Sequence, residues 1–138
     1  MFEFLFAALL VGDLHQVNEG ITFRLTGIKV RDEVVYYQLE AENRSPLIYD
    51  VDAIRCEIKD RKVIRRHAVQ EVLMPTLSLH GDSLRIPPGK KAIWTIELRK
   101  EVLPYERYLS IELLERHGSR NLELKVRNRE LLRARQLN

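Results

Sequence analysis

Ala92-Ile-Trp-Thr-Ile-Glu-Leu-Arg99 is the stretch that decides the fold. Ala92, Trp94, Ile96 and Leu98 share one parity, and Thr95, Glu97 and Arg99 share the other. A period of two puts successive side chains on opposite faces, so the stretch reads as a strand with one buried and one wet face. Trp94 is the expected core anchor, with Ile96 and Leu98 beside it. The turn formers Pro87-Pro88-Gly89-Lys90 lie just upstream, around a short Leu84-Arg85-Ile86 piece.

The same pattern recurs in both directions. Downstream, Leu109, Ile111 and Leu113 form one face, Gly118-Ser119 turns the chain, and Leu122, Leu124 and Val126 form the next face, which together describe a hairpin. Upstream, Ile21, Phe23 and Leu25 alternate with Thr22, Arg24 and Thr26. At Gly27 the phase flips and Ile28 and Val30 continue on the other parity, which predicts a β-bulge. Arg31-Asp32-Glu33 is a turn, followed by Val35, Tyr37, Leu39 and Ala41 on one face, until Asn43-Arg44-Ser45-Pro46 breaks the strand. Ile54, Cys56 and Ile58 mark a third strand, and Thr76 to His80 a short one. Asn128 is expected to cap a C-terminal helix over residues 129–137, with Glu130 near its positive end. Seven to nine short strands at this spacing predict an all-β, immunoglobulin-like sandwich. Residues 20–138 would form it, and residues 1–19 an apolar N-terminal helix or arm.

Composition narrows the function classes. The 138 residues suffice for one domain with its own core. The net charge of +3 comes from 23 basic and 20 acidic residues that interleave, so the charge is not gathered on one face as nucleic-acid binding demands. No direct nucleic-acid partner is expected. Cys56 is the only cysteine, which rules out an internal disulfide, and its place in an alternating run reads as a buried structural thiol. His15, His67, His80 and His117 share no ligand spacing, so no metal site is expected. No nucleophile-elbow pattern surrounds a serine, and no glycine-rich phosphate loop is present. The carboxylates Glu40 with Glu42, and Asp50 with Asp52, have a spacing compatible with acid–base work, but an exposed strand face looks the same. The reading is therefore of a protein that is not an enzyme and needs no cofactor.

Two features point to partners. Phe2, Phe4 and Phe6 belong to an apolar run that ends at Gly12-Asp13. It lacks the basic start of a signal peptide and is shorter than the roughly 20 residues of a bilayer span, so no transmembrane segment is expected. In a helix, Phe2, Phe6, Leu9 and Leu10 share one face and Phe4 lies off it, which suggests an interaction element that self-associates or contacts a neighbouring subunit. The second feature is the basic cluster Arg61, Lys62, Arg65 and Arg66. It reads either as protection of a strand edge or as a docking surface for an acidic partner or lipid headgroups.

Ordered clusters of residues then resemble a family. Glu42-Asn-Arg-Ser45, Tyr49-Asp-Val-Asp52, Ile54-Arg55, Lys59-Asp-Arg-Lys62 and Arg65-Arg-His-Ala-Val-Gln-Glu71 are similar to the TraN family of Bacteroides-type conjugative transposons. So are Lys90, Tyr108-Leu-Ser-Ile-Glu-Leu113, Glu115-Arg-His-Gly-Ser-Arg120 and Val126-Arg-Asn-Arg129. His67, Ala53 and Cys56 depart from the family's pattern. The similarity runs from about Gly20 to Leu137, so the chain reads as the C-terminal domain of such a protein or a shortened relative. The resemblance implies a periplasmic, outer-membrane-associated scaffold of a type IV secretion-like apparatus. Its partners would be a lipoprotein and a channel-forming subunit. The alternative is a generic periplasmic binding module with a ligand on the sheet or end loops.

Overall fold

In the computed structural model, residues 14–61 and 72–137 are described. They form ten strands and one helix: β1 (His15–Asn18), β2 (Ile21–Arg31), β3 (Val34–Asn43), β4 (Tyr49–Asp60), β5 (Val72–Met74), β6 (Ser78–Gly81), β7 (Arg85–Ile86), β8 (Lys91–Arg99), β9 (Arg107–Glu115), β10 (Leu122–Val126) and α1 (Asn128–Leu137). One antiparallel sheet has the order β1-β2-β3-β8-β6, and the other β10-β9-β4-β5, with β7 paired to the start of β4. The expected all-β sandwich is the observed fold.

The parity seen in the sequence becomes the core. Ala92, Trp94, Ile96 and Leu98 of β8 lie inside, against Val35, Tyr37, Leu39 and Ala41 of β3. Facing them from the second sheet are Leu109, Ile111 and Leu113 of β9 with Leu122, Leu124 and Val126 of β10. The ladder between β2 and β3 shifts register between Leu25 and Gly27, where the phase flip predicted a bulge. The extra residue lets Phe23 and Ile28 both stay buried although their parities differ. Gly81 sits at the end of β6 with φ +138°, and a Cβ there would lie 2.3 Å from the Ile93 carbonyl oxygen. Only glycine lets this edge strand close on β8.

The structure differs from the sequence reading in four places. β4 begins at Tyr49, before the Ile54 start expected, because a second register shift between Val51 and Ala53 interrupts its parity. β1 is an additional edge strand whose side chains are largely exposed, so it carries no hydrophobic period. β5 and β7 are three- and two-residue pairings too short to show any period, which raises the strand count above the range expected. The helix cap falls one residue earlier than Asn128. Asn128 is the first helical residue, and the buried Glu130 carboxylate accepts the Arg127 N–H at 3.1 Å in a capping-box arrangement.

Cys56 is buried, as expected, and burial pushes its thiol up to about 12, so the thiol stays un-ionised at neutral pH.

Candidate functional site

Of the predicted partner residues, only Arg61 falls within the described part. Phe2, Phe4, Phe6, Lys62, Arg65 and Arg66 lie outside it. Arg61 directly follows β4, and its N–H donates to the Glu106 carbonyl at 2.6 Å. Its guanidinium lies 4.5 Å from the centre of the Tyr105 ring and also donates to the Tyr105 carbonyl at 3.3 Å. Beside it, Arg107 pairs with Asp60 at 3.2 Å. The entry to the basic cluster is thus anchored on the loop between β8 and β9, and Tyr105 stands 80% exposed there. An arginine stacked on an exposed tyrosine presents a flat, amphipathic surface, the composition favoured at protein interfaces.

Further apolar side chains face solvent around the same sandwich. Leu77 and Leu79 stand at β6, an outer strand of its sheet, and are 52% and 42% exposed. Leu84, just before β7, is exposed as well. An outer strand offers unpaired backbone groups, and apolar side chains beside them suit the addition of another chain. Near α1, Val102 and Leu132 border a hollow of about 160 Å³, also lined by Val30, Val35, Lys100, Glu101, Asn128 and Leu131. Among the described residues, its lining contains no aromatic ring. Sequence reasoning missed these side chains. β6 is too short to show a period, and the 100–106 loop has none. The only signal was apolar residues such as Val102 and Tyr105 in a segment that otherwise reads as a turn.

The carboxylate pairs have cationic neighbours. Lys91 lies 3.5 Å from Glu40 and 3.3 Å from Glu42, and Glu42 also pairs with Arg44. The Arg44 hydrogen bond holds the Glu42 carboxyl below its ordinary value, so it is ionised and unsuited to giving up a proton near neutrality. Asp50 and Asp52 pair with Arg85 and Arg116 at 3.5 and 3.7 Å. Among the described residues, no group of three or more His, Cys, Asp or Glu is placed to hold a metal ion. No helix among them is long and apolar enough to cross a membrane.

The densest polar cluster ties two loops together. Arg120, almost fully buried, donates to Glu115 Oε2 at 2.6 Å, to Ser45 Oγ at 2.8 Å and to the Ile48 carbonyl at 3.0 Å. The Tyr49 hydroxyl donates to the Arg120 carbonyl at 2.7 Å. Each partner is satisfied within the cluster, so the arrangement holds the loops and leaves nothing over for a ligand. The Arg120 hydrogen bonds, opposed by burial, hold the Glu115 carboxyl below its ordinary value. Folding therefore favours ionised Glu115. This contribution is complete above the unfolded glutamate value, near pH 4.3, and fades as pH falls through the lower folded value. Glu115→Gln is expected to flatten the loss of stability with acid, read from urea midpoints between about pH 6 and 3. An unchanged slope would show that the pair does not couple folding to protons.

No curated protein matches the chain. The family described as Domain of unknown function (DUF4138) matches residues 8–136, nearly the whole length, and the chain belongs to that family.

Proposed function

We propose that this domain is a non-enzymatic structural subunit of a conjugative transfer apparatus of the type IV secretion kind. It works in the periplasm, in the outer-membrane part of the channel, by binding other subunits. The observation that carries the reading is the set of ordered residue clusters similar to the TraN family, from Glu42-Asn-Arg-Ser45 to Val126-Arg-Asn-Arg129. Three of these clusters enter the Arg120 cluster, through Ser45, through Tyr49, and through Glu115 and Arg120. The physical character of the surface agrees with a scaffold. Apolar side chains stand exposed at an outer strand and a loop. The hollow near α1 holds about 160 Å³, below the usual size of a small-molecule site, and among the described residues no aromatic ring lines it.

The test is affinity capture from cells that express the complete set of transfer proteins. The intact domain is expected to bring down the lipoprotein and channel-forming subunits. Leu77→Asp with Leu79→Asp, at exposed positions, is expected to lose them while keeping the fold by circular dichroism. Capture of neither subunit by the intact domain would remove the proposal.

A further inference from the structure

We propose that the hollow beside α1 is the docking groove for residues 2–10 of this same chain. The inference rests on topology and sequence and stands apart from the conjugation reading. β1 is antiparallel to β2, with His15 opposite Arg24, and the Leu25 N–H donates to the Leu14 carbonyl at 3.0 Å. The chain before Leu14 therefore enters from the direction of Val30 and the β2–β3 turn. On its other side β1 lies against β10, held by Asn18 Nδ2 donating to the Asn121 carbonyl at 3.0 Å and by the Glu123 N–H donating to Gln16 Oε1. β10 ends at Val126, and α1 starts at Asn128. The N-terminal segment thus joins the body at the end of the sandwich that carries α1.

The hollow sits at that same end. It is bounded by Val30 and Val35 on either side of the β2–β3 turn, by Lys100, Glu101 and Val102 after β8, and by Asn128, Leu131 and Leu132 of α1. Val102 is 84% exposed and Leu132 is 48% exposed. Leu14 lies opposite Leu25, and Val30 is five residues further along β2, about 17 Å away at strand spacing. A helix of residues 2–10 is about 14 Å long, and Val11-Gly12-Asp13 can add up to about 10 Å, so the segment reaches the groove without strain.

The chemistry matches the reach. In a helix, Phe2, Phe6, Leu9 and Leu10 would share one apolar face, and five of the groove's eight lining residues, Val30, Val35, Val102, Leu131 and Leu132, are apolar. Tethering favours this chain's own segment over a second copy, since a short tether gives an effective concentration on the order of millimolar. In such a helix Phe4 would lie on the side away from the groove.

The experiment introduces Phe6→Trp into the full chain and follows acrylamide quenching, with the unmodified protein subtracted to remove Trp94. It is run at concentrations where light scattering gives the monomer mass. The new indole is expected to be blue-shifted and shielded. Val102→Glu with Leu132→Glu is expected to make it severalfold more quenchable. Circular dichroism checks the fold; if the pair unfolds, Val102→Glu alone carries the same comparison at a side chain that is mostly solvent-facing. Equal quenching with and without the glutamates overturns the proposal, whether the indole is shielded in both or open in both. Shielding that appears only as the mass doubles assigns the segment to a second copy and overturns it too.

Discussion

Trp94→Ala is expected to destabilise the domain by about 3–5 kcal/mol, the range for deleting a large aromatic from a core. Trp94 is 1% exposed, with Ile96 and Leu98 beside it on β8, Leu39 opposite it on β3 and Gly81 opposite it on β6. Its Nε1–H donates to the Asp82 carbonyl at 3.0 Å, where the chain leaves β6. Alanine would leave a cavity and remove the indole N–H that the Asp82 carbonyl accepts. Trp94→Phe keeps most of the volume but not the donor, so its cost should be well below that of alanine. Domains of this size are commonly stable by 5–15 kcal/mol, so the alanine variant would lose a large fraction of the total. The urea midpoint should fall with little change in slope. A midpoint within error of the wild type, or free quenching of Trp94 in the native protein, would contradict this placement.

Arg120→Ala is the second large effect, expected at about 3 kcal/mol, the lower end for breaking a buried pair by removing one partner. Arg120 and Glu115 side chains are 9% and 10% exposed, so Glu115 would be left nearly buried without its countercharge. The guanidinium also sits 5.2 Å from the centre of the Tyr49 ring and serves the Ser45 and Ile48 loop. Arg120→Lys should recover only part of the loss, since an ammonium lacks the fork that reaches these acceptors together. In a cycle with Glu115→Gln, the double variant should be more stable than the sum of the single losses predicts. Simple additivity would mean that the two side chains act independently and that the cluster is not a unit.

How far the sequence could be read depended on the range of the interaction. Parity is local, and it was enough to place Trp94, Phe23, Leu39 and Ile111 in the core and to locate the Gly27 bulge. It failed where a second irregularity hid the pattern, as at Val51 and Ala53, and where a strand is short and exposed, as at His15–Asn18. Arg120 was quoted only as part of a resemblance. Its role depends on Ser45, 75 residues away, and no spacing rule connects them. Arg61 was named for its charge, yet its neighbour Tyr105 comes from a loop 44 residues on. Phe2, Phe4 and Phe6, with Lys62, Arg65 and Arg66, lie outside the described residues, so their part in partner binding rests on the sequence.

The pairing of β1 with β2 and its position against β10 have a mechanical consequence. The chain before Leu14 and the chain after Val126 leave the sandwich at the same end. A tensile load applied through these two points would not shear the long ladders of β2, β3 and β8. It would peel the four-residue β1 away from Leu25 one rung at a time, and rungs broken in succession resist far less force than rungs broken together. The domain is thus weak as a link in a chain under tension and suited to being gripped from its sides, hanging from one end while its far loops, pinned by Arg120, keep their shape.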